Sequence, residues 1–118
     1  MKTIKVTELL EEVKRVAKAN PDKKVDGCKY FHDNGHPCCI VGTAMFNLGI
    51  KQTDLLSVEI PTAWGDNPTN PNTQQIGLVV RCTSFIEQDN LDSLNALKKI
   101  QCNQDGDYTW GKAVEGAE

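Results

Sequence analysis

The sequence predicts a mainly α-helical domain of about five helices around a buried central helix, with at most one short strand or hairpin. Three observations carry this expectation. Apolar residues recur at spacings of three and four over most of the chain. The stretch between Asp33 and Lys51 keeps that spacing without a single Asp, Glu, Lys or Arg. Strong turn signals, Asn20-Pro21, Asp33-Asn34-Gly35, Gly49 and Asp105-Gly106, separate the periodic segments. The 118 residues amount to one small globular domain, 1–118. At 39% hydrophobic and 25% charged, the chain supports a core and does not have the composition of a disordered one.

The first helix begins near Val6. Val6, Leu9, Leu10, Val13, Val16 and Ala17 form its apolar stripe, with Glu11, Glu12, Lys14, Arg15 and Lys18 opposite. Thr7 suits its N-cap and Asn20-Pro21 its end. Cys28–His32 reads as extended, followed by the Asp33-Asn34-Gly35 turn. Because Pro37 comes only one residue after Gly35-His36, strand, turn and then helix is preferred over a hairpin. Pro37 fits the first position of that helix, where its missing N–H costs nothing.

The helix Pro37–Leu48 places Ile40, Val41, Ala44, Met45 and Leu48 on one face and Cys39, Gly42, Thr43 and Phe46 on the other. A helix apolar all round is buried on most sides, so this is the expected central helix. Gly42 admits a close neighbour, and Gly49 supplies a left-handed stop. Thr53–Leu56 reads as a helical turn and Glu59–Asn72 as a long loop carrying Trp64. One helix is expected over Thr73–Gln88. Asp89 or Asn90 caps a further one to Gln104, with Leu94, Leu97 and Ile100 inward. Thr109 caps a last short helix, Trp110–Ala117, which Trp110 staples to the core.

The net charge of −3 argues against a nucleic-acid binder held by a basic face. No apolar run of about 7–15 residues follows the first lysine, and none approaches the roughly 18 of a membrane span. A cytoplasmic protein that meets no membrane is therefore expected. Its five cysteines, Cys28, Cys38, Cys39, Cys82 and Cys102, are then thiols or metal ligands rather than bridges.

Chemistry-bearing residues concentrate around the turn. Cys28, His32, His36 and Cys39 offer four N/S ligands for a structural zinc, although the usual paired C-x2-4-C half-site is absent. Cys39, with His32 as base and Asp33 as orienting group, offers a thiol nucleophile at a helix start. The plainer reading makes Cys38 and Cys39 small hydrophobes opening a buried helix. In it, Cys28, Tyr30, His32, Asp33 and Cys39 gather around Gly35, and Asp33 accepts the free amides at the helix start as a structural clasp. Trp64 is a candidate anchor for a partner, since aromatics dominate interface hot spots.

Two stretches carry a resemblance. The first is Cys28-x-Tyr30-x-His32-Asp33-x-Gly35-x-Pro37-x-Cys39-Ile40-Val41-Gly42. The second is Gln101-x2-Gln104-Asp105-Gly106-x3-Trp110-Gly111-x-Ala113. Together they resemble a group of small proteins of actinobacteriophages and their hosts. That group carries a C-x-Y-x-H-D-x-G-x-P-x-C-I-V-G core and a Q-D-x-G-x-x-W-x-x-A ending. The match covers roughly a third of the chain, and the Trp64 loop lies outside it. The resemblance implies no activity. It implies an accessory protein of phage or host acting in the bacterial cytoplasm, and it favours Cys39 over Cys38.

The leading expectation is thus a non-enzymatic interaction protein without a cofactor, engaging a host protein as a monomer or homodimer. Its candidate binding residues are Trp64, Tyr30, His32, Asp33 and His36. The alternatives are a small-molecule binder or cysteine-dependent enzyme built on Cys39, His32 and Asp33, and a zinc domain built on Cys28, His32, His36 and Cys39.

Overall fold

The computed structural model describes residues 3–24, 30–57, 76–106 and 108–117, without the side chains of Leu78 and Asp105. Among these residues the order is β1 (Ile4–Lys5), α1 (Val6–Ala19), α2 (Ile40–Asn47), α3 (Gln52–Leu56), α4 (Ile76–Cys82), β2 (Ile86–Glu87), α5 (Leu91–Asp105) and α6 (Trp110–Glu115). The molecule is mainly α-helical. Its only regular sheet among the described residues is the parallel pair β1–β2, with Ile4 opposite Ile86 and Lys5 opposite Glu87.

α1 buries the expected stripe, Val6, Leu9, Leu10, Val13, Val16 and Ala17. Its start differs from expectation. Lys5 is the N-cap, and its N–H donates to the Glu8 carboxylate at 3.2 Å. Thr7 sits inside the first turn, where its N–H and hydroxyl donate to the two Asp89 oxygens at 3.2 and 2.6 Å. The cap comes from a side chain distant in sequence, so Thr7 is not needed for it. At the far end, Asn20 is the C-cap, as Asn20-Pro21 predicts.

α2 starts at Ile40, three residues later than expected, because Pro37 belongs to a hairpin. Phe31 and Pro37 form an antiparallel bridge, flanked by His32 N–H to the His36 carbonyl (2.8 Å) and Cys38 N–H to the Tyr30 carbonyl (2.9 Å). Phe31 and Pro37 are thus the pair that exchanges no hydrogen bonds, and proline's missing donor is not needed there. Ile40, Val41, Gly42, Ala44 and Met45 are all buried. Each fully buried Ile, Val or Met is worth about 1.5–3 kcal/mol of transfer energy.

Gly42 is required by sterics. A Cβ there would stand 2.0 Å from the Tyr30 carbonyl oxygen, a backbone atom. Gly49 ends the helix at φ +95°. Its N–H bonds the Phe46 carbonyl and Ile50 N–H bonds the Met45 carbonyl, the paired closure of a Schellman motif, with Ile50 and Met45 both buried in the core.

The expected helix over Thr73–Gln88 is shorter than its periodicity suggests. Thr73, Gln74 and Gln75, like the Glu59–Asn72 loop, lie outside the described residues. α4 stops at Cys82, the Thr83 hydroxyl accepts the Phe85 N–H at 3.2 Å, and Ile86 leaves as a strand. Phe85 and Ile86 are buried in either conformation, but extension lets the Phe85 carbonyl accept the Ile4 N–H at 2.9 Å.

α5 packs on α1, α2, α4 and α6, while α1 packs on α2, α5 and α6. Asn47 ties the end of α2 to Glu12 at 3.0 Å, and Arg15 pairs with the same carboxylate. These two donors, Arg15 foremost, hold the Glu12 carboxyl below its ordinary pKa. α6 docks through its backbone: Trp110 N–H donates to the Lys23 carbonyl and Gly111 N–H to that of Pro21, each at 2.9 Å. Trp110 is fully buried, with the Lys23 ammonium 4.7 Å from its ring centroid. Its indole Nε1 has no acceptor among the described residues.

Candidate functional site

The turn His32-Asp33-Asn34-Gly35-His36 projects from a buried base. Tyr30 and Phe31 enter it fully buried, and Cys38 and Cys39 leave it 5% and 2% exposed. Between them the side chains of His32, Asp33, Asn34 and His36 are exposed. The loop closes by Gly35 N–H to the His32 carbonyl at 2.9 Å, with Gly35 at φ +89°. Three-residue hairpin loops favour glycine at that left-handed position. The Asn34 side chain accepts His36 N–H at 3.1 Å, and the Gln52 amide of α3 donates to the His32 carbonyl at 3.0 Å. The tip is therefore pinned by its own backbone, by one asparagine and by a neighbouring helix.

The start of α2 is satisfied from elsewhere. Ile40 N–H donates to Oε1 of Gln104, 64 residues away, at 2.7 Å. Gly42 N–H donates to Cys39 Sγ at 3.3 Å. Asp33, expected to take these amides, stays exposed in the turn and caps nothing there. Gln104 reaches the same amides from inside the core, where no solvent competes for them.

A second glutamine repeats the device. Gln101 Oε1 accepts Ile76 N–H, the first described amide of α4, at 2.7 Å, and its Nε2 meets the Tyr30 hydroxyl at 2.9 Å. Gln101 is 8% and Gln104 1% exposed. The two stretches that carry the resemblance thus meet in the core: Tyr30 with Gln101, and the start of α2 with Gln104.

These positions decide what the candidate residues can do. Tyr30 has its ring and hydroxyl inside the protein, so it presents nothing to a partner. Cys39 is buried and serves as the N-cap of α2, while His32 and Asp33 lie on the exposed tip. The Cys39 thiol accepts the Gly42 N–H and is shielded from solvent. Among the described residues no three His, Cys, Asp or Glu side chains converge as metal ligands. Cys28, needed for the four-ligand set, lies outside the described residues, as does Trp64. His32, Asp33 and His36 are brought together on one exposed loop.

The sequence reading missed the glutamines as structural residues. The signal was available: Gln101 and Gln104 fall on the same helical stripe as Leu94, Leu97 and Ile100, where an uncharged polar side chain must find a partner. No protein family, curated protein or solved structure matches the chain. Among the described residues no helix is long and apolar enough to cross a membrane.

Proposed function

We propose that the chain is a non-enzymatic binding protein that engages a host protein through the exposed face of the His32–His36 turn. The observation that supports this reading is the contrast between the tip and its base. Four polar side chains are presented on a backbone already hydrogen-bonded at His32, Gly35 and His36. A loop held in one shape before binding loses less conformational entropy on binding, which is what makes a small exposed surface worth recognising. His32, Asp33 and His36 supply two imidazoles and a carboxylate, suited to hydrogen bonding with a polar partner surface. The resemblance to phage and host proteins points to a bacterial cytoplasmic partner.

The test is a triple variant, H32A/D33A/H36A. In-cell crosslinking in an actinobacterial host identifies the partner, and purified partner then measures affinity. The expected result is unchanged melting with binding weakened at least tenfold, about 1.4 kcal/mol. Full affinity in the folded triple variant refutes the reading.

A further inference from the structure

α1 carries six charged side chains, and their order has an internal symmetry. Counting outward from Val13, Glu12 is mirrored by Lys14, Glu11 by Arg15 and Glu8 by Lys18. Every acid has a base at the same distance on the other side. Helix dipoles favour acids early and bases late, but they do not require this register.

Val13 is fully buried, so the centre of the exposed face lies opposite it. At 100° per residue, Glu8, Glu11, Arg15 and Lys18 form the middle of that face, with Glu12 and Lys14 on its flanks. These four central side chains are all exposed. The face stands as a ridge between two shallow grooves. One, of about 550 Å³, runs along Glu8, Glu11 and Glu12 to Leu48. The other, of about 370 Å³, runs along Lys14 and Lys18 to Pro21 and Val114. Three acids and Arg15 line the first groove, two lysines and Glu115 the second.

We infer that this face binds a second copy of the same chain, with the two α1 helices antiparallel across a two-fold axis at the level of Val13. In that arrangement residue i lies level with residue 26 − i of the partner copy. Glu8 is then level with Lys18, and Glu11 with Arg15, and two-fold symmetry doubles each match. This is the one antiparallel register in which all six charged side chains of α1 are level with a side chain of opposite sign; shifted or parallel pairings match fewer of them. An isologous dimer of this kind is self-complementary and closes on itself. The contact is one helix of 14 residues, about 21 Å long, so the association is weak and governed by salt.

Sedimentation velocity of the whole chain at about 20 mM and about 500 mM NaCl tests this, because the Debye length shrinks several-fold between them. A dimer at low salt and a monomer at high salt is expected. The E8K/E11K variant and the R15E/K18E variant, each alone, should be monomeric at both. Mixed together they should form a heterodimer, because every matched pair again has opposite signs. If the reversed variants do not fold, E11Q in the wild-type background should raise the dimer Kd roughly two- to thirtyfold, since it removes two matched pairs. A wild-type chain that stays monomeric at low salt and high protein concentration overturns the inference. So does a dimer that neither salt nor these substitutions weaken.

Discussion

The starts of α2 and α1 are satisfied in opposite ways. At α2 the first amide is taken by Gln104, a neutral side chain 1% exposed that arrives from α5 through the core. At α1 the Thr7 amide and hydroxyl are taken by Asp89, an exposed carboxylate. A carboxylate completes a helix start with a full charge, but only where water can solvate it. Inside the core a glutamine oxygen accepts the same bond without the cost of burying an ion. Burial therefore chooses the residue, and the two ends should answer differently to substitution and to pH.

The largest effect is expected beside the buried end. Replacing glycine by alanine inside a helix ordinarily stabilises by about 0.5–1 kcal/mol. Gly42→Ala should do the reverse and cost about 3 kcal/mol or more, because the added Cβ meets the Tyr30 carbonyl and neither backbone can yield cheaply. Denaturant unfolding reads the sign directly. A stabilised variant would mean that Tyr30 does not lie across α2, and the buried junction would not exist as described.

Next is Gln104→Ala. It leaves the Ile40 N–H buried without its acceptor and should cost about 1–3 kcal/mol. The loss should be the same at pH 4 and pH 7, since no proton is taken up at that site. A cost confined to one end of the pH range would break the contrast with α1.

How much of this was readable depends on where each partner sits in the chain. Caps that are local in sequence could be read directly: Asn90 accepts Ser93 N–H, Thr109 accepts Lys112 N–H, and Gly49 turns left-handed after α2. So could the apolar stripe of α1 and the need for a close neighbour at Gly42. Caps that are distant could not. Asp89 is 82 residues from Thr7, and Gln104 is 64 from Ile40. With those partners invisible, a sequence reading gives the work to nearby polar side chains, here Thr7 and Asp33. The same blindness hid β1 and β2: two-residue strands leave no period to detect, and Ile86 fits a helical stripe as well as a strand. In the turn, the exposed cluster of His32, Asp33 and His36 was legible because the Asn34-Gly35 signal is local. The burial of Cys39 is the plainer reading of the sequence, whereas that of Tyr30 is not legible, because its hydroxyl meets Gln101 of α5.

The exposed end should be the one that feels acid. Hydrogen bonds from Thr7, its hydroxyl foremost, hold the Asp89 carboxyl below its ordinary pKa. A carboxyl with a depressed native pKa contributes stability above its unfolded-state pKa and loses it as pH falls through the native one. Asp89→Asn should therefore be less stable than wild type at neutral pH, and the gap should close below about pH 4. Thermal melts of both proteins from neutral pH down to about pH 2.5 show this as converging curves. Parallel curves would mean that Asp89 acts no differently from the neutral Gln104.

The smallest effect is expected at Asp33, and it sharpens the comparison most. Asp33 lies six residues before Cys39, close enough in sequence to be the anion at the start of α2. The structure gives it no such work, because Gln104 and Cys39 already hold the amides there. Asp33→Ala should then change stability by no more than about 0.5 kcal/mol, the range for an exposed side chain without a structural bond. The backbone on either side remains held, His32 by Gly35 and Gln52 and His36 by Asn34, so the loop should keep its shape. A loss of about 1 kcal/mol or more in chemical denaturation would return Asp33 to the role of a cap and make the turn part of the scaffold. Unchanged stability leaves its exposed carboxylate available to a partner, and then loss of binding in the same variant is assignable to the contact itself.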